Sequence, residues 1–145
     1  CTARMQKHLA GRLKVYDFHE FAVDALLPRL VVTPQPGPVA LHVNCSVRKG
    51  GSDAKLRTLL KACASEVVEP AGVTCCGFAG DRGFVVPELN QHALRHLHAE
   101  LPRECGCGVS TNRTCEIGLS AESGINYQSI AYLLEKCSRP GGFPC

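Results

Sequence analysis

Tryptophan is absent from this 145-residue chain, methionine occurs once, and aromatic residues make up 6% of it. Its core must therefore be built mainly from aliphatic side chains. No stretch approaches the run of about 18 apolar residues that marks a membrane helix, so a transmembrane segment is excluded. An excess of one charge is missing too: 16 basic residues stand against 13 acidic ones, a net of +3, with no basic run. Nucleic acid is not implied as a partner. Charged residues at 20% and apolar ones at 45% exclude disorder and fit one globular domain. A chain of this length buries roughly two-thirds of its unfolded surface and needs no cross-links merely to fold. What it has in excess is cysteine, with 10 residues.

Periodicity predicts alternating strands and helices. Val39-Ala40-Leu41-His42-Val43-Asn44 reads as a mostly buried strand after a breaker-rich linker at 33–38. Ser52 or Asp53 caps a helix to about Ala64, whose Leu56, Leu59, Leu60 and Cys63 fall on one face. Val67-Val68 makes a short strand, and Pro87 opens a helix carrying its apolar stripe to Leu101. Residues 106–110 read as a further strand, and Ile130, Leu133, Leu134 and Cys137 stripe a last helix. Near the start, Leu13–Tyr16 is a strand candidate, and Asp17 with Glu20 is a capping pair. This pattern predicts an α/β layered domain, a mainly parallel sheet of about four strands flanked by helices. The chain begins with Cys1 and no signal-like segment follows, so it reads as a piece of a longer protein.

Cys63 and Cys137 close helical stripes and read as core residues, and Cys145 as part of a loose tail. Cys45, Cys75, Cys76, Cys105, Cys107 and Cys115 lie instead in non-periodic segments, most of them glycine-rich. Turns after the carboxyl ends of parallel strands gather on one edge, where α/β proteins bind ligands. Cys45, the Cys75-Cys76 pair and Cys115 each follow a separate strand segment, so their thiols are expected to converge there. Disulfides suit such adjacent cysteines poorly in a chain with this much aliphatic core. Zinc sites use paired C-x₂₋₄-C knuckles, which the chain lacks. An iron–sulfur cluster accepts thiolates on different irons, and glycines such as Gly77, Gly80 and Gly83 let backbone N–H groups approach its sulfides. Neither phosphate-binding glycine motif is present. His42, on an apolar strand, reads as a core histidine rather than a partner of the cluster.

His42-Val43-Asn44-Cys45, then Cys75-Cys76-Gly77-Phe78-Ala79-Gly80, then Thr114-Cys115-Glu116-Ile117-Gly118-Leu119-Ser120 resemble the cysteine-rich CCG domain. That domain occurs in heterodisulfide reductase, in the iron–sulfur components of glycolate oxidase and anaerobic glycerol-3-phosphate dehydrogenase, and in lactate-utilisation proteins. The family places one cysteine before Cys-Cys-Gly and a C-x-x-C beyond it, at spacings matched by the 29 residues from Cys45 to Cys75 and the 35 from Cys76 to Asn112. The stretch from Ser110 to Tyr132 most resembles the C-terminal part of FAD- and iron–sulfur-containing D-lactate dehydrogenases. Asn112 stands where the family has the first cysteine of C-x-x-C. The remaining Cys45, Cys75, Cys76 and Cys115 suffice for one [4Fe–4S] cluster.

The resemblance implies an electron-transfer domain, residues 13–138, preceded by the tail of another CCG half at 1–12 and followed by a tail at 139–145. It implies FAD and further iron–sulfur regions upstream in the parent protein, and a quinone or cytochrome as acceptor. It also implies a cytoplasmic location, or a peripheral one at the inner membrane face. Arg113 and Arg82 are candidates to hold the reduced, more anionic cluster. The competing readings are a structural zinc site and a cluster-less scaffold.

Overall fold

In the computed structural model, which describes residues 2–141, the chain opens with helix α1 (Thr2–Leu9). An irregular stretch leads to α2 (Phe18–Phe21), which runs on through a π-turn and a 3-10 turn to Arg29. Strands β1 (Leu30–Val32) and β2 (Gln35–Leu41) follow, then α3 (Cys45–Gly50), α4 (Asp53–Cys63) and β3 (Ala64–Val68). Beyond a long loop come α5 (Pro87–Leu94), α6 (Leu97–Glu100), β4 (Cys107–Ser110) and α7 (Arg113–Ser123). The chain then forms β5 (Asn126–Ser129), α8 (Ile130–Cys137) and β6 (Ser138–Pro140). Cys1 and Cys145 lie outside the described residues.

Four strands form one parallel sheet in the order β3-β2-β4-β5, while β1 and β6 pair in a separate antiparallel ribbon. The domain is thus α/β, with helices on both faces of a parallel sheet, as the pattern predicts. From β2 the chain steps to β3 on one side and later crosses to β4 on the other. Crossovers between parallel strands keep one hand, so steps in opposite directions put their helices on opposite faces. The core divides accordingly. Val39, Leu41 and Val43 point into an aliphatic half with Leu56, Leu59 and Leu60 of α4 and Leu133 of α8. Ala40 points the other way, into a half built from Phe78, Leu94, Leu97, Leu119 and Tyr127 together with Cys76 and Cys115. Cys63 and Cys137 meet in the aliphatic half, where burial first and then the bond with Cys137 push the Cys63 thiol up to about 12. Such thiols pack rather than react.

Several expectations change. Leu13–Tyr16 is not a strand: no neighbour pairs with it, Leu13 is exposed, and Lys14 lies over the Tyr16 ring. The fourth strand is instead β5. The linker at 33–38 is largely part of β2, which pairs there only with β3, across a register shift, and gains β4 only from Val39. Proline is tolerated where a strand flank has no partner to donate to. The helix from Pro87 to Leu101 is two, with turn residues 95–96 between α5 and α6. The capping pair is present: Glu20 accepts from the Asp17 backbone N–H at 2.9 Å. Ser52 precedes α4, but its hydroxyl is engaged by His19 Nε2 at 2.8 Å instead of capping the helix.

Candidate metal centre

The sheet changes direction between β2 and β4, and in α/β sheets ligands bind outside the strand carboxyl ends at such a point. Both strand ends are built alike. Asn44 caps α3 by accepting from Val47 N–H at 3.0 Å, which makes Cys45 the first residue of that helix. Asn112 caps α7 by accepting from Thr114 N–H at 3.1 Å, which puts Cys115 in its first turn. The Asn44 amide also donates to Thr111 Oγ1 at 2.7 Å, clamping the two strand ends together. We expect Asn44→Ala to lower stability by about 1 kcal/mol through the lost cap. Urea unfolding checks this, and an unchanged midpoint would show that the cap carries nothing.

The Cys75-Cys76 pair arrives on the loop after β3. Gly77 takes a left-handed φ of 73° and Gly80 one of 80°, conformations costly for other residues. At Gly77 the loop presses so closely on α5 that a Cβ would strike the Leu89 carbonyl oxygen. Asn90 of α5, itself buried, donates to the Cys76 carbonyl at 2.5 Å. Phe78 plugs the cysteine half of the core, packed on Gly83 and Gly118 and edge-to-face on Phe84. Gly83, expected to open the backbone to a cofactor, lacks a left-handed φ and makes room for the Phe78 ring.

The result is that Cys76 Sγ and Cys115 Sγ sit 2.7 Å apart, both buried and not joined by a disulfide. The bond from Cys115, aided by the backbone N–H groups of Phe78 and Cys76 and by Cys75, holds the Cys76 thiol down at about 7 against burial. Cys115 is pushed up by that same bond, then by burial and the Cys76 charge, and further by the charges of Cys45 and Cys75. Cys45 and Cys75 are exposed, and Gly77 N–H donates to Cys75 Sγ at 3.4 Å. Among the described residues no three His, Cys, Asp or Glu side chains close on a single point as ligands of one ion do.

Cys105 and Cys107 do not join them, since Cys107 begins β4 and both lie toward the amino end of the strand. Arg113 is largely exposed and paired with the buried Glu116 at 3.1 Å. Arg82 is exposed in a 3-10 turn. His92 and His96 are exposed, and His98 shares Ser123 O at 3.0 Å. Three contributors were not singled out from sequence as parts of the site: the cap Asn44, the brace Asn90, and Ser110 beside His42; Asn112 was marked as the position of a missing cysteine and not as a cap. An asparagine ending an apolar run before a helical pattern is a readable cap signal. Nothing in the sequence marks Asn90.

The residues fit an iron–sulfur group on two observations. The donors are soft sulfurs brought by separate segments, with the Gly77 backbone N–H already directed at Cys75. Among the described residues, two buried polar atoms on this face of the sheet, His42 Nε2 and the Tyr127 hydroxyl, have no partner. No protein-family model, curated protein or solved structure matches the chain. No helix among the described residues is long and apolar enough to cross a membrane.

Proposed function

We propose that this chain is an iron–sulfur electron-transfer domain, holding one [4Fe–4S] cluster on Cys45, Cys75, Cys76 and Cys115. The observation that carries the reading is the contact of Cys76 with Cys115 at the sheet's switch point, where Cys45 opens α3 at the end of β2. Burial of those two sulfurs and N–H groups aimed at sulfur are what a protein supplies to set a cluster's potential. When bound, the cluster supplies one-electron redox chemistry. Gly77 and Gly80 shape the loop that brings its ligands, and Arg113 keeps positive charge on the rim. The parent protein is proposed to be a flavin oxidoreductase of the D-lactate dehydrogenase kind. FAD and further iron–sulfur regions would then lie upstream, and a quinone or cytochrome would accept the electrons at the cytoplasmic side.

Purification without oxygen, followed by iron, acid-labile sulfide and zinc analysis and electron paramagnetic resonance, tests this. About four irons with matching sulfide per chain are expected, the composition of a [4Fe–4S] centre. Cys115→Ser should lose most of that iron. One zinc without sulfide, or no metal at all, overturns the proposal, and full iron in Cys76→Ser removes Cys76 from the ligand set.

A further inference from the structure

A disulfide bond is about 2.05 Å long, and Cys76 Sγ stands 2.7 Å from Cys115 Sγ with the two unjoined. About 0.7 Å of approach therefore separates these free thiols from a covalent link. The surrounding frame holds the pair together. On one side, Asn90 of α5 donates to the Cys76 carbonyl at 2.5 Å, and Gly77 presses the loop against the same helix. On the other, Asn112 caps α7, and Gly118 lies so close to Asn90 and Phe78 that a Cβ there would strike both. Asn90 thus braces both segments that carry the sulfurs.

Access is narrow. Cys76 is 5% exposed and Cys115 6%, while the neighbouring Cys75 is exposed. An oxidant little larger than water reaches such sulfurs, and a bulky one does not.

We infer that in the metal-free chain Cys76 and Cys115 form a reversible disulfide site, oxidised by hydrogen peroxide. One sulfur, as thiolate, attacks a peroxide oxygen; the O–O bond breaks, hydroxide leaves and a sulfenic acid forms. The other sulfur then displaces the sulfenic oxygen, the S–S bond forms and water departs. In all, the two thiols give up two electrons and two protons, and the peroxide becomes two waters. A dithiol reverses the step by exchange. The bond also keeps both sulfurs from the irreversible sulfinic stage. Its consequence for loading rests on the cluster reading above: two of four ligands are withdrawn, so the oxidised chain takes up iron only after reduction.

The test starts from the whole chain, purified without oxygen, stripped of metal, reduced, and given one equivalent of hydrogen peroxide. Two of its ten thiols should disappear and return with dithiothreitol. Trypsin should release peptide 62–82 joined to 114–136, roughly tenfold or more above any other linked pair, since preplaced sulfurs react fastest. Peptide 62–82 also holds Cys63 and Cys75. Tandem fragmentation between residues 75 and 76 assigns the bond in wild type, and Cys75→Ser should keep the link while Cys76→Ser loses it. The oxidised chain should unfold at a higher urea midpoint, because the link restricts the unfolded state. No loss of thiols, a dominant link through Cys45, Cys63 or Cys75, or a mixture without a dominant pair overturns the inference. Mixed with ferrous iron and sulfide without added thiol, the reduced chain should take up iron at least tenfold faster than the oxidised one. Equal uptake by a linked chain overturns the loading consequence. Should the reduced chain take up no iron either, the cluster reading falls, while a mapped bond from Cys76 to Cys115 upholds the disulfide site.

Discussion

Gly77→Ala is expected to cost about 3 kcal/mol of folding stability, while Gly80→Ala costs about 1 kcal/mol. Both glycines have left-handed φ values, 73° and 80°, so both variants carry the same backbone strain. They differ in what a methyl group meets. At Gly80 nothing lies within 4 Å, and the adjacent Ala79 already holds a positive φ of 46°. At Gly77 the methyl would strike the Leu89 carbonyl oxygen and lie 2.8 Å from Ala93 Cβ, both on α5. Neither can swing aside as a flexible side chain does, so loop and helix must part. That separation would draw Asn90 off the Cys76 carbonyl and open the contact between Cys76 and Cys115. Urea unfolding with an unchanged slope measures the difference, and thiol labelling of the native protein should expose Cys76 in the Gly77 variant alone. Equal costs at the two positions would mean that α5 does not press on the loop.

Acidifying the metal-free protein from pH 7 to pH 5 should remove about 2 kcal/mol of stability through His42 alone. The ring titrates at about 4 in the folded chain, against 6.5 when free. Between those values the unfolded state takes up a proton that the folded state refuses. Stability therefore falls as pH drops through 6.5 and levels off below about 4. His19, buried and likewise lowered by burial against Asp17 and Glu20, adds a contribution of the same sign. Urea midpoints at the two pH values measure the sum, and His42→Gln should flatten most of the slope. A slope unchanged in that variant would show that another group governs acid sensitivity.

Helices α4 and α8 were legible because each buries an apolar stripe at fixed period, as Leu56, Leu59, Leu60 and Cys63 do in α4, whereas α1, α3 and α7 carry no such stripe and were not anticipated. Strand β5 was not: Asn126-Tyr127-Gln128-Ser129 is a polar edge strand with one buried residue, so neither alternation nor an apolar run marks it. Leu13–Tyr16 offered the better-looking strand and had nothing to pair with. The prolines of 34–38 mimicked a linker because their cost depends on which flank of β2 is paired, a matter of tertiary structure. In the site, the thiols could be sorted by their surroundings, since buried structural cysteines sit on helical stripes and Cys45, Cys75 and Cys76 do not. Cys115 sat on α7 unrecognised as helical. His42 was readable as a buried strand residue; that only one of its nitrogens is satisfied depends on Ser110 of a distant strand.

The division of the core has a consequence for the order of events during biogenesis. The aliphatic half, closed by α4 and α8, contains none of the four sulfurs at the switch point. It can set before anything meets those thiols. On the proposed cluster reading, an inorganic guest arriving late would find its scaffold standing and only the Phe78 side left to close over it.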